Sequence, residues 1–146
     1  MSFKQVIGKI ERNPRVLFLI DGFGAILSAF LLGVVLVQLE GVFGIPRTTL
    51  YVLAFIPCTF VFYDLYCYCR KSNDFKQFLK GIAYMNLLYC CISIVFALYH
   101  YQKIKYLGYI YLSVEIIILI ALASLELKSA TKLKIEESES QYITEN

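Results

Sequence analysis

Tryptophan is absent from this chain, histidine occurs once, and only 17% of its 146 residues are charged. Each shortage excludes something. A soluble domain carries about 25% charged residues, so the deficit argues against a chain surrounded by water. His100 is the sole imidazole and lies at the outer end of an apolar run, so a haem gripped by two histidines cannot be built within one chain. No nucleophile–base pair is recognisable either. The five cysteines include no Cys-x-x-Cys pair: Cys67 and Cys69 are separated by one residue, Cys90 and Cys91 are adjacent, and Cys58 stands alone. That pattern supplies neither the dithiol of a quinone-linked oxidoreductase nor four zinc ligands at one depth. Thiols inside apolar segments behave as small hydrophobes, and a disulfide framework is not expected.

What is present is overwhelmingly apolar, at 59% of residues and a mean hydropathy of +0.65. Burial in lipid explains this better than a large core does, and a chain of this length has no room for a separate soluble catalytic module. The formal charge of +3 does not point to nucleic acid, because the 14 Lys and Arg residues sit in short clusters between apolar runs.

Crossing a hydrocarbon layer of about 30 Å takes about 20 apolar residues in helix, and four stretches qualify: 16–39, 49–69, 81–101 and 106–127. In lipid every backbone polar group needs an internal partner, so runs this long are helices. The links 40–48, 70–80 and 102–105 are short, which makes neighbours antiparallel. The expected fold is an all-α, integral membrane, up-down-up-down four-helix bundle over residues 1–128.

Orientation follows from the cations. Eleven Lys and Arg residues, among them Arg15, Arg70, Lys80 and Lys128, flank the side holding both termini, against Arg47, Lys103 and Lys105 on the other. The positive-inside bias places both termini in the cytoplasm. Tyr51, Tyr99, Tyr101, Tyr106 and Tyr109 gather at the opposite interface as an aromatic belt. The first run is too long for a cleaved signal peptide. Ahead of it, Phe3, Val6, Ile7 and Ile10 share a helical face opposite Lys4, Lys9 and Arg12, the pattern of a short amphipathic helix in the headgroup plane. Asn13 and Pro14 then read as N-cap and first helical residue. Beyond 128 the composition turns to Glu, Ser, Thr and Gln, and 129–146 reads as a flexible, charged cytoplasmic tail.

Polar residues within the spans are the informative exceptions, since an ionisable group at a helix centre costs roughly 2.5–3.5 kcal/mol on insertion scales. They are Asp21, Asp64, Glu115 and the amide Asn86. Asp21, Asp64 and Asn86 each lie six residues from a boundary cation, hence about 9 Å deep, and are expected at one level. Asp21 aligns with Ala25, Ala29 and Gly33, a stripe of small residues that lets helices pack closely. Tyr89 and Ser93 follow Asn86 on one face, and Tyr63 and Tyr66 flank Asp64, offering hydrogen-bond partners. Glu115 lies about 20 Å from the cytoplasmic boundary, so reaching it from Asp21 requires intermediates such as Tyr89 or Ser93. Glu126, beside Lys128, is assigned to the headgroup zone. Asp21-Gly22-Phe23-Gly24 superficially matches nucleotide-loop signatures but lacks a preceding strand, and its glycines are read as helix contacts. Pro57 is expected to kink the second span.

Leu17-Phe18-Leu19-Ile20-Asp21-Gly22-Phe23-Gly24-Ala25 and Asn86-Leu87-Leu88-Tyr89-Cys90, with Glu115 in the last span, resemble an uncharacterised group of small bacterial four-span membrane proteins. The resemblance covers most of the membrane part and implies location in the inner membrane, but it carries no activity. Small multidrug exporters are similar in size and in an acidic residue in the first span, yet their dual-topology members need weakly biased charge. The leading expectation is a binding or assembly protein, with the lipid bilayer, a second copy or another membrane protein as partner and with no cofactor or metal. Its binding or proton-exchange candidates are Asp21, Asp64, Asn86, Glu115, Tyr89 and Ser93. Proton- or cation-coupled transport of a small solute by an oligomer is the alternative, and a membrane enzyme acting on lipid is third.

Overall fold

The computed structural model describes residues 5, 8, 13–70 and 75–144, and every regular element among them is helical. Helix α1 (Pro14–Phe30) continues into a π-helical segment (Leu31–Leu36), followed by the short α2 (Glu40–Phe43), then α3 (Arg47–Cys69), α4 (Phe75–Tyr99) and α5 (Tyr106–Thr144). Four stretches are long and apolar enough to cross a membrane: Pro14–Leu36, Arg47–Cys69, Phe75–Tyr99 and Tyr106–Ile135. This is a multi-pass membrane protein with an all-α four-helix bundle.

The inward faces repeat at alternating steps of three and four. On α3 the buried residues Leu50, Leu53, Pro57, Phe60, Asp64 and Cys67 keep this spacing, and on α4 Leu79, Ile82, Asn86, Tyr89 and Ser93 do the same. That seam is the one along which near-antiparallel helices interdigitate. The outward faces carry large apolar side chains in the open, such as Phe23 at 71% and Phe62 at 75% exposure. So much bare hydrocarbon is sustainable only where lipid covers it.

Several boundaries differ from the sequence reading. Asn13 is extended and Pro14 opens α1, but the Asn13 side chain makes no capping bond; its carbonyl instead accepts from the Val16 amide at 3.0 Å. The first span widens into a π turn at Leu31–Leu36, where Leu32 and Leu36, four residues apart, both face the core. Helix α4 begins at Phe75 rather than at residue 81, because Phe75 packs against Phe18, ring centres 6.2 Å apart, with the Arg15 guanidinium over its face. Helix α5 does not stop at residue 127 but runs to Thr144, carrying residues assigned to a flexible tail. Ser129 and Ala130 are fully buried there, so the same inward stripe extends beyond the apolar run. Most of the expected interfacial helix lies outside the described residues; Gln5 and Gly8 within it are helical.

Helix α1 packs chiefly along α3, and α4 along α5, while α1 and α5 touch only lightly. At the end of the bundle opposite the termini, the two connections clasp. Gly44 adopts φ 73°, a left-handed turn that ends α2, and a side chain there would strike the Lys103 carbonyl. The Lys105 amide donates to the Phe43 carbonyl at 2.9 Å, and Ile45 is buried beneath. Tyr51, Tyr99, Tyr101, Tyr106 and Tyr109 are all exposed around this end. His100 is half-buried there, stacked on Phe96 and edge-on to Tyr99.

Candidate functional site

The inward seams bring polar residues from all four spans into two groups. Nearer the termini, the Asn86 amide donates to Asp21 Oδ1 at 2.8 Å, joining α4 to α1. Asp64, from α3, sets its carboxyl beside that of Asp21, two acceptor groups facing one another. Gly22 makes the approach possible: a Cβ on it would lie 3.3 Å from the Asp64 Cβ. Glu126, from α5, faces Asp21 and Asn86 from the remaining side and is wholly buried. Asp21, Asp64 and Asn86 are each at most 2% exposed. Asp21 Oδ2 and both carboxyl oxygens of Asp64 and of Glu126 accept no hydrogen bond. Among the described residues no three His, Cys, Asp or Glu side chains are arranged to hold a metal ion.

The second group is built on Glu115. Ser28 donates to Glu115 Oε1, the Tyr89 hydroxyl donates to the same oxygen at 3.2 Å, and the Tyr111 hydroxyl stands beside both Ser28 and Glu115. Ser93 is buried next to Tyr89, without a hydrogen-bond partner for its hydroxyl. Glu115 Oε2 accepts nothing.

A cleft of about 210 Å³ joins the two groups where α1 and α5 part. Asp21 and Asn86 lie at one end; Ser28, Tyr89, Tyr111 and Glu115 lie at the other. Ser28 is seven residues beyond Asp21 on one face of α1, two turns or about 10 Å along the helix. The walls are Ala25, Phe60, Leu119 and Leu122, and at the rim Leu27, Val114 and Ile118 are half or more exposed. The opening therefore faces the lipid side of the bundle, between two spans. In this polar interior the Ser28 and Tyr89 hydroxyls and one Asn86 N–H are engaged, while Asp21 Oδ2 and Glu115 Oε2 accept nothing.

The residues singled out from the sequence fall into place unevenly. Asp21 and Asn86 bond directly and Asp64 joins them, while Tyr89 connects to Glu115 rather than to Asp64 or Asp21. Tyr63 and Tyr66 are not carboxyl partners: the Tyr63 hydroxyl points to the Phe78 carbonyl at 3.5 Å, and Tyr66 lies outside beneath the Arg70 guanidinium. Of the small-residue stripe, Ala25 lines the cleft, Ala29 is half-buried, and Gly33 packs against Ala54. Pro57 lies inside an unbroken helix and borders the cleft.

Glu126 corrects the sequence reading. It is not a headgroup residue; it lies eleven residues after Glu115, three turns along one face, with Leu119, Leu122 and Ala123 between. Azimuth around the helix carried that signal, whereas depth alone concealed it. Tyr111 and Ser28 were also missed as Glu115 partners, since nothing local links them. No protein-family model, curated protein or solved structure matches the chain.

Proposed function

We propose that this chain is an integral membrane binding protein that holds part of an amphipathic molecule in the cleft between its first and fourth spans. The observation that carries this reading is the combination of an apolar, laterally open rim with a polar floor on which Asp21 and Glu115 each keep one unpartnered oxygen. Binding sites are typically apolar cavities with a few convergent polar groups, and a void of 150 Å³ already admits benzene. About 210 Å³ therefore houses a small head or ring, while an attached chain leaves through the rim into lipid. The distribution of Lys and Arg supports an orientation with both termini cytoplasmic.

Native mass spectrometry of gently extracted protein tests the proposal. Gly24 borders the cleft, and a Cβ on it would meet nothing within 4 Å, so Gly24→Leu is the variant that narrows the opening. Wild type is expected to retain an amphiphile that Gly24→Leu loses. Equal retention by both, or none from wild type with any amphiphile offered, overturns the proposal.

A second reading, proton- or cation-coupled transport by an oligomer, draws support from one observation: three carboxyls and one amide meet at one level, and five carboxyl oxygens there accept nothing. Proteoliposomes that show pH-dependent solute flux, abolished by Asp64→Asn, would favour it.

A further inference from the structure

We infer that the cleft selects a lipophilic ammonium, a positively charged amine carried on an apolar body, with Glu115 as its direct counter-charge. This rests on the binding reading above and names its ligand class. The first ground is a donor deficit. One N–H of the Asn86 amide goes to Asp21 Oδ1, and the Ser28 and Tyr89 hydroxyls go to Glu115 Oε1, while Asp21 Oδ2 and Glu115 Oε2 stay bare. Asp21 is 2% and Glu115 9% exposed, so bulk water does not serve them. A buried acceptor left unserved is costly, and an incoming N–H group removes that cost.

The second ground is charge. No Lys, Arg or His borders the cleft, so a phosphate-bearing lipid head would meet two carboxyls and no cation. A cation entering this water-poor site is favoured electrostatically over a neutral molecule of equal shape.

The third ground is geometry. Glu115 shares its helix turn with the rim residues Val114 and Ile118 and is the more exposed of the two cleft carboxyls. Tyr89 and Tyr111 bring their hydroxyls to it and hold the carboxyl in place. The apolar body then lies against Ala25, Phe60 and Leu122.

Titration of the full chain in nonionic detergent with dodecylammonium, dodecanol and dodecyl phosphate, read by native mass spectrometry, decides the matter. Dodecylammonium is expected to form one saturable adduct, at least about tenfold tighter than dodecanol, with no adduct from the phosphate. Glu115→Gln should weaken it about tenfold, Asp21→Asn about threefold, and Gly24→Leu should abolish it. If Glu115→Gln fails to fold, Asp21→Asn and Gly24→Leu still decide. Dodecanol or dodecyl phosphate binding as tightly, with loss in Gly24→Leu, overturns the cation selectivity while leaving the binding reading intact. No saturable adduct of any of the three overturns both.

Discussion

Two buried carboxyl groups of the same bundle, Glu115 and Asp64, are treated in opposite ways. Glu115 accepts from a serine and a tyrosine with a second tyrosine beside it, whereas Asp64 accepts from nothing and faces Asp21 and Glu126. Both are interior, so burial alone does not separate them. The difference lies in donor supply: the Glu115 level has three hydroxyls, while the level of Asp21, Asp64 and Glu126 has one amide for three carboxyls. Glu115 has one oxygen served twice and one left bare, whereas neither oxygen of Asp64 is served, and each unserved group in a polar network stores cost. The served group contributes to the bundle; the unserved one is held in place by it.

The comparison breaks most sharply at Asn86. Replacing it with Leu removes the single amide at that level and leaves Asp21 with no donor, so a loss of about 2–3 kcal/mol is expected in reversible unfolding in mixed micelles. An unchanged unfolding midpoint would mean that the carboxyls are served from elsewhere. Asp64→Asn should move stability the other way, up by about 1–2 kcal/mol, because the new amide donates to Asp21 and one unserved carboxyl disappears. Destabilisation by this variant would give Asp64 a structural role that its bare oxygens do not suggest. At the served level Tyr89→Phe removes one of several donors to Glu115, and the expected loss is about 0.6–1.5 kcal/mol, the usual range for hydrogen bonds between membrane helices. A loss as large as that of Asn86→Leu would erase the distinction between the two levels. Smallest of all, Glu40→Gln breaks the exposed pair with Arg47, N to O 2.7 Å, and should not shift the unfolding midpoint measurably.

Much of the fold was legible because lipid imposes a simple rule on composition. Spans that must be apolar for about 20 residues announce themselves, and the aromatic belt at Tyr99, Tyr101 and Tyr106 announces their ends. The meeting of Asp21 and Asn86 was legible too, from equal distances to Arg15 and Lys80. The ends were harder. Phe75 and Ser129 lie beyond the apolar runs, yet both belong to helices, because tertiary contacts bury their faces where hydropathy gives no cue. Glu126 was misplaced for the same reason: the neighbouring Lys128 suggested water, while helical phase turned Glu126 inward and Lys128 outward. The partnership of Ser28 with Glu115 joins residues 87 apart and has no local trace.

Sequence alone determined the number of crossings, their antiparallel order and the small set of polar residues they carry, because transfer of each helix into lipid depends on that helix's own side chains. Which carboxyl found a donor, which was left bare, and that the first and last spans part to leave a cleft between them were decided only in the folded bundle. Those outcomes depend on how four helices turn and press against one another, and no single span contains that information.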